Sequence, residues 1–222
     1  MKAGFFVAGT DTGVGKTVFS AALLRSFAAR GLRSAGMKPV AAGCEGGRNA
    51  DVEALLAASG AAIDRGLVCP YLFEPPIAPH IAAREAGVSI DLAVIDAAFR
   101  RLQTQVDVVV VEGVGGFRVP LNERDDTAGM AKRLGLPVIL VVGLRLGCLN
   151  HTLLSAQAIA VEGLDLAGWV ANRIDPGMAR ADENIQALRE RLPAPLIAEL
   201  PFGAASGFPV ALERLWPGRG SP

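Results

Sequence analysis

The chain has 222 residues, of which 51% are hydrophobic and 20% charged, so it is neither disordered nor too short for a sizeable core. Its 22 Lys and Arg residues balance its 22 Asp and Glu residues, which excludes the cationic field that sequence-independent nucleic-acid binding needs. The longest apolar stretches fall far short of the roughly 20 residues of a membrane helix, so we expect neither a nucleic-acid nor a membrane partner.

The N-terminal half of the chain alternates between short apolar strands and longer helices. Residues 4–9 predict a buried strand, and residues 16–30 predict the helix that follows it. A second short strand is predicted at 34–38 and a second helix at 51–59. Residues 69–79 contain four prolines and therefore predict a loop without regular structure.

The C-terminal half continues the same alternation. After a helix predicted at 91–103, residues 106–111 form an almost unbroken run of valines, which is typical of a central parallel strand buried on both faces. A helix at 126–134 and a similar apolar strand at 138–142 follow. The remaining predicted elements are helices at 150–162 and 179–192 and strands at 166–170 and 196–200.

This order of elements predicts an α/β fold, in which a mostly parallel sheet is flanked by helices on both faces. We expect a single domain over residues 1–216 and a disordered tail at 217–222. Ligands of open α/β sheets bind at the carboxyl ends of the strands, so the residues that follow each predicted strand are the candidates for a site.

A glycine-rich segment joins the first predicted strand directly to the first helix. It has the sequence Gly9-Thr10-Asp11-Thr12-Gly13-Val14-Gly15-Lys16-Thr17. The Gly-Lys-Thr core indicates a phosphate-binding loop, in which backbone N–H groups and the helix N-terminus surround phosphate oxygens. Lys16 can reach the terminal phosphates, and Thr17 can offer its hydroxyl to Mg²⁺. The first glycine stands one position earlier than in the usual spacing, and a plain glycine turn is the alternative.

Three more side chains are predicted near the same edge of the sheet. Glu112 ends the valine-rich strand, where a carboxylate is costly unless it is paired or binds a cation, and this favours a role in binding Mg²⁺ over a loop cap. Lys38 ends the second strand, and Asp51 opens the next helix. Together they would add a cation and a second Mg²⁺ ligand, although a solvated lysine and a helix cap explain them equally well.

The three cysteines, Cys44, Cys69 and Cys148, are an odd number and include no Cys-x-x-Cys pair. This pattern disfavours a disulfide framework and a structural zinc site, and it predicts a protein of the reducing cytoplasm.

Five blocks of the sequence, in order, closely resemble the dethiobiotin synthetases of biotin biosynthesis. Besides the phosphate loop they are GMKPV at 36–40, VEGVGG at 111–116, LGCLNH at 146–151 and GWVAN at 168–172. The resemblance extends to about Pro201. It implies the P-loop nucleoside triphosphate hydrolase fold and a homodimeric cyclo-ligase that uses ATP, Mg²⁺ and CO₂.

The resemblance also implies a substrate and a reaction course. The substrate would be 7,8-diaminopelargonic acid, one amine of which captures CO₂ as a carbamate. The carbamate would attack the γ-phosphate of ATP to form a carbamic–phosphoric anhydride, and the second amine would close the ureido ring of dethiobiotin and expel phosphate. Such chemistry needs cations around the phosphates more than it needs a protein nucleophile.

Carried over by position, the resemblance assigns a role to each residue of the site. Lys16 and Lys38 would be catalytic, and Thr17, Asp51 and Glu112 would hold Mg²⁺. The ATP-binding residues would be Thr12, Gly13, Val14, Gly15, Lys16, Thr17, Val18, Asp51, Glu112, Gly113, Val114, Gly115, Asn172, Arg173, Pro201, Phe202 and Gly203. The substrate-binding residues would be Lys38, Ala42, Gly147, Cys148, Leu149 and Asn150.

Within the substrate-binding set, residues 147–150 would act across the dimer interface, with backbone N–H groups at a helix start holding the tail carboxylate. Two positions depart from the family pattern. Ala42 stands in a loop that often carries a hydroxyl side chain, and Asn184 stands where some relatives have an aromatic hydroxyl.

Two other activities of the same superfamily are the alternatives. A switch ATPase that positions plasmids or division sites would carry a signature lysine where this chain has Asp11, and it often ends in a membrane-seeking helix. An amide-forming ligase acting on cobyrinic acid would bring a glutamine-hydrolysing domain, for which 222 residues leave no room.

Overall fold

The computed structural model describes residues 3–215 and contains eight strands and nine helices within that range. The strands are β1 (Ala3–Gly9), β2 (Ser34–Met37), β3 (Val40–Ala42), β4 (Tyr71–Phe73), β5 (Val108–Glu112), β6 (Val138–Gly143), β7 (Leu166–Asn172) and β8 (Leu196–Leu200). The helices are α1 (Lys16–Ala28), α2 (Ala50–Ala58), α3 (Arg65–Val68), α4 (Pro79–Glu85), α5 (Leu92–Gln105), α6 (Thr127–Leu134), α7 (Cys148–Val161), α8 (Ala181–Arg191) and α9 (Leu212–Leu215).

Six strands form one sheet in the order β2-β5-β1-β6-β7-β8, and every neighbouring pair is parallel. All residues of β5 and β6 are buried, as a strand covered on both faces requires. Side chains that alternate along β1 enter two separate hydrophobic cores, Phe6 on one face and Phe5 and Val7 on the other. The predicted α/β class is therefore confirmed.

The helices divide between the two faces of the sheet. Helices α1, α2 and α9 contribute to the core that contains Val7, whereas α5, α6, α7 and α8 contribute to the core that contains Phe6. This arrangement leaves the carboxyl ends of β1, β2 and β5 close together at one edge, because these three strands are neighbours in the sheet.

Local side-chain chemistry determines where several of these helices begin. Asn49 precedes α2, and its side-chain oxygen accepts hydrogen bonds from the backbone N–H groups of Asp51 (3.1 Å) and Val52 (3.4 Å). Asp126 caps α6 in the same way through the N–H of Gly129. The cap at Asn49 matters for the site, because it orients the first turn of α2 that carries Asp51.

The segment 69–79 does not lack regular structure, so this sequence prediction is wrong. Strand β4 lies within it and pairs in parallel with β3 as a second, two-stranded sheet. The segment ends at Pro79, the first residue of α4, a position where proline is favoured because its missing N–H would have no helical partner. Strands of three residues are too short to show a periodic pattern, which is why the sequence did not reveal them.

Two strands have boundaries that differ from the predicted ones. The valine strand begins at Val108 rather than at residue 106, because α5 extends to Gln105 and Val106 caps its end. Strand β2 ends at Met37, and Lys38 follows it with its backbone N–H donated to the carbonyl of Val68 at 2.8 Å. The predicted tail at 217–222 lies outside the described residues. Within residues 3–215 no helix has the length and apolarity to cross a membrane.

Candidate active site

A cleft of about 750 Å³ opens at the carboxyl ends of β1, β2 and β5, where the topology predicts a ligand site. Of the residues proposed from the sequence, it is lined by Thr12, Gly13, Gly15, Lys16, Thr17, Val18, Lys38, Ala42, Asp51, Glu112, Val114 and Gly115. The structure therefore brings the phosphate loop, the two lysines and the two carboxylates together, although they are distant in sequence.

At two positions of the phosphate loop the backbone has a left-handed conformation that only glycine adopts readily. Gly13 and Gly15 have φ angles of 74° and 91°. A Cβ at Gly15 would lie 2.2 Å from the side-chain nitrogen of Asn172, so a larger residue would have to displace that side chain. Asn172 donates to the carbonyl of Val14 at 2.8 Å and thereby fastens the loop to the end of β7.

Lys16, the first residue of α1, points back over the loop. Its Nζ donates to the carbonyl of Asp11 at 2.9 Å and to that of Gly115 at 2.6 Å. Burial, together with repulsion from Lys38, lowers the pKa of Lys16 to about 8, in spite of nearby Glu112 and Asp51. Among residues 3–215 the ammonium is held by neutral carbonyl oxygens and by no carboxylate, so a bound phosphate would supply its missing anion.

Four polar side chains meet at the centre of the cleft. The hydroxyl of Thr17 lies 2.8 Å from Asp51 Oδ1 and 2.8 Å from Glu112 Oε1. Lys38 Nζ lies 2.5 Å from the same Glu112 oxygen, 3.1 Å from Asp51 Oδ2 and 3.2 Å from the carbonyl of Gly113. The side chains of Lys38 and Glu112 are 5% and 0% exposed, so this is a buried ion pair with a second, half-buried carboxylate, Asp51, beside it.

The charges in this cluster support one another. Burial alone would lower the pKa of Lys38, but the adjacent Glu112 and Asp51 carboxylates outweigh it and raise that pKa above its usual value. For Asp51, burial acts to raise the pKa, and the Lys38 ammonium with the Thr17 hydroxyl holds it below its usual value. Lys38 is therefore an ammonium and Asp51 a carboxylate at neutral pH.

The donor set also suits Mg²⁺. This ion prefers a few hard oxygen ligands at about 2.0–2.1 Å in an octahedron, in which neighbouring ligand oxygens lie about 2.9 Å apart. The Thr17 hydroxyl is 2.8 Å from one oxygen of each carboxylate, close to that spacing. The second oxygen of Glu112 is buried and has no hydrogen-bond partner among residues 3–215, so an acceptor is available.

The residues proposed to frame the adenine lie at the ends of β7 and β8, outside the lined cleft. Arg173 follows β7, donates its N–H to the carbonyl of Leu200 and pairs with Asp182. Phe202 is 58% exposed beyond β8, between the exposed Pro201 and Gly203. Among the residues proposed to frame the adenine, Asn172 is the one that the described hydrogen bonds join to the phosphate loop.

Residues 147–150, proposed to hold the substrate tail, lie apart from the cleft within one chain. Gly147 precedes α7 with a φ of 96°, and Cys148 begins the helix with its side chain buried. Leu146, just before them, is 94% exposed.

Two features of the cleft have no local sequence signal. Ile77, Ala78 and Pro79 form one wall. Arg145, after β6, forms an ion pair with Asp11 of the phosphate loop at 2.5 Å. The two partners are 134 residues apart, so only the order of strands brings them together. Among the described residues, no three His, Cys, Asp or Glu side chains cluster as a metal site, which leaves the pair of carboxylates with Thr17 as the candidate.

Comparison with known proteins gives relatives that cover about nine-tenths of the chain. The model of a family described as "AAA domain" matches residues 3–209. The ATP-dependent dethiobiotin synthetase BioD of Nitrosospira multiformis is 56% identical over 202 residues, covering 91% of this chain and 89% of that protein. The protein of the same name from Aromatoleum aromaticum is 57% identical over 208 residues, covering 91% of this chain and 92% of the relative.

Solved structures with a similar backbone are more distant. Chloroplast FtsY from Physcomitrella patens has a TM-score of 0.59 and 18% identity, covering 98% of this chain but 66% of that chain, just under two thirds. The septum site-determining protein MinD complexed with Mg-ADP, from Pyrococcus horikoshii, has a TM-score of 0.57 and 16% identity, covering 90% of this chain and 82% of that chain. At such identities the likeness shows the P-loop nucleoside triphosphate hydrolase fold alone.

The sequence resemblance and the expected class of enzyme are both confirmed by relatives that are more than half identical over nine-tenths of the chain. The chain belongs to the family of ATP-dependent dethiobiotin synthetases, which are ligases.

Proposed function

We propose that this protein closes the ureido ring of dethiobiotin from 7,8-diaminopelargonic acid and CO₂, with conversion of ATP to ADP and phosphate. The observation that carries the proposal is the convergence of Lys16, Lys38, Asp51 and Glu112 on one cleft, in a chain whose relatives bear that enzyme name. This reaction would be the penultimate step of biotin biosynthesis.

The residues fit the charge demands of that reaction. A carbamate attacking a γ-phosphate brings two anions together, so fixed cations lower the barrier more than a nucleophile would. Lys16 would stabilise the transferring phosphoryl group, and Lys38 would hold the carbamate beside it. Thr17, Asp51 and Glu112 would hold Mg²⁺, which neutralises phosphate charge when it is bound.

The contacts of Asn172 support the choice of an adenine nucleotide. Its side-chain nitrogen uses one N–H on Val14, which leaves a second N–H and a carbonyl oxygen without a partner in the described chain. One donor and one acceptor are what the N7 atom and the exocyclic amine of adenine require. Guanine would place an acceptor against that carbonyl oxygen. Arg173 and residues 201–203 would flank the base.

A homodimer would complete the substrate site. The segment before α7 and one side of that helix expose Leu146, Leu154 and Val161 at 94%, 56% and 73%. We propose that a second copy of this chain covers this apolar face, since Leu154 and Val161 lie two turns apart on one side of α7, and an exposed apolar patch marks a protein–protein contact. Residues 147–150 of the opposite subunit would then hold the tail carboxylate. The three cysteines are free, in keeping with the cytoplasmic location that we propose.

The switch ATPase is not favoured. Its signature lysine would stand at Asp11, and here the Asp11 carboxylate is paired with Arg145 of the same chain. The similarity to MinD, at 16% identity, is one of fold and carries no information about the activity of this chain.

Phosphate release from ATP should depend on 7,8-diaminopelargonic acid and bicarbonate together. Without the diamine there is no carbamate to accept the phosphoryl group, so only slow hydrolysis should remain. The measurement is phosphate release with each substrate omitted in turn. An equal rate without the diamine would contradict the proposal and favour a switch ATPase.

Glu112→Gln should raise the Mg²⁺ concentration needed for half-maximal activity by at least about tenfold, because a charged ligand becomes neutral. Glutamine keeps an oxygen that can accept from Thr17, so the fold should persist. Glu123→Gln, at an exposed position without an ion pair in residues 3–215, is the matched control. An unchanged Mg²⁺ titration in Glu112→Gln would show that the carboxylate has only a structural role.

A further inference from the structure

The ammonium of Lys38 occupies the space between the two carboxylates that we propose as Mg²⁺ ligands. Its three N–H donors match its three oxygen contacts, namely one oxygen of Glu112, one of Asp51 and the Gly113 carbonyl. The Thr17 hydroxyl shares the same Glu112 oxygen. The two carboxylates thus share one cation that the chain itself supplies.

The metal and this ammonium cannot both keep the same oxygen at low cost. A Mg²⁺ ion on Glu112 Oε1 would lie no more than about 4.6 Å from Lys38 Nζ, given the 2.5 Å ion pair and the usual Mg²⁺–oxygen distance. Both would sit in a buried pocket, where like charges repel strongly. Entry of the metal therefore favours departure of the ammonium.

Lys38 has a fixed backbone and a long, flexible side chain, which together allow its ammonium to change position. Its backbone is fastened, because its N–H is donated to Val68 and Pro39 follows it. Its side chain lines the cleft, so the four carbons of the lysine can carry Nζ from the carboxylates into the open space. That space is where the phosphates and the carbamate would lie.

We propose that Lys38 is a built-in counter-ion of the carboxylates Asp51 and Glu112, and that a divalent cation displaces its ammonium into the substrate side of the cleft. The inference rests on the proposed function, in that it takes Thr17, Asp51 and Glu112 as the metal ligands. The inference gives an order of events at the site, in which the lysine becomes available to the carbamate only after the metal has bound.

The first test compares Mn²⁺ binding by electron paramagnetic resonance, without nucleotide, in wild type, Lys38→Met and Lys16→Met. Lys38→Met should bind Mn²⁺ about tenfold more tightly, because its competitor is gone. Lys16→Met is the matched control, since Lys16 lies nearby but contacts only carbonyl oxygens. Equal affinity in wild type and Lys38→Met, or equal tightening in both variants, would overturn the proposal.

The second test follows the wild-type lysine directly. The chain has only four lysines, so the ¹⁵N-lysine NMR spectrum of the ammonium groups is simple, and Lys132, with its side chain 61% exposed, is an internal reference. Adding Mg²⁺ should shift or remove the signal of Lys38 and leave Lys132 unchanged. A Lys38 signal that persists unchanged at saturating Mg²⁺ would mean that the lysine stays in place.

The two proposals fail in different ways. If Glu112→Gln abolishes Mn²⁺ binding while Lys38→Met binds no more tightly, the metal site stands and the displacement is wrong. If neither wild type nor Lys38→Met binds Mn²⁺, the proposed metal site fails, and the displacement fails with it.

Discussion

Lys16→Ala and Lys38→Ala should each lower the rate of dethiobiotin formation by roughly 10²–10³. Each change removes a cation that would stabilise the negative charge of the transition state. Both ammonium groups are buried beside the cleft, where water replaces a lost charge poorly. Lys132→Ala, on the exposed face of α6, is the control and should leave the rate unchanged.

The two lysine variants should differ in stability, and this difference tests their placement. Lys38→Ala leaves the buried Glu112 without its ion-pair partner, which destabilises a protein unless another cation replaces it. Added Mg²⁺ should therefore raise the melting temperature of Lys38→Ala more than that of Lys16→Ala. Near-normal turnover by folded Lys38→Ala would show that our placement of Lys38 at the carbamate is wrong.

Mixing two inactive variants should restore about a quarter of the wild-type activity if the active site is shared between subunits. Lys38→Ala damages one half of a site, and Leu149→Pro removes a backbone N–H from the other half. A mixed dimer collects both lesions in one site and neither in the other. Random pairing of equal amounts makes about half of the dimers mixed, each with one intact site of two.

The experiment is to unfold, mix and refold the two variants, with each refolded alone as a baseline. Leu149 is the second residue of α7, where a proline is tolerated because the N–H has no partner within the helix. Leu149→Ala keeps the N–H and is the matched control for the lost side chain; it should stay active by itself. No recovery, despite mixed dimers detected by mass spectrometry, would place the whole site within one chain.

The main features of the fold follow from short-range patterns in the sequence. The valine run before Glu112 and the apolar run of β6 have no polar face, and such strands are stable only inside a parallel sheet covered on both sides. The phosphate loop is equally local, since its glycines, Lys16 and Thr17 are consecutive and its conformation depends on the residues themselves. These features could be predicted because their physical causes lie within a few residues.

The remaining features depend on which distant segments the sheet order makes neighbours. Strands β3 and β4 are too short to show a pattern and exist because they pair with each other. Nothing near Asp11 indicates Arg145, and nothing near Val14 indicates Asn172. These pairs form because β6 is next to β1, and β7 is next to β6.

Lys38 shows most clearly what the sequence can predict and what depends on tertiary packing. As a residue after a strand it fits a solvated surface lysine as well as a catalytic one, and its sequence neighbours do not decide between them. The packing of β2 beside β5, with α2 capped by Asn49, places its ammonium between Asp51 and Glu112. Burial then makes each charge depend on the others, because an unpaired charge is costly in a low-dielectric site. The sequence by itself determined which residue types reach this edge of the sheet, and only the tertiary structure decided which of them touch.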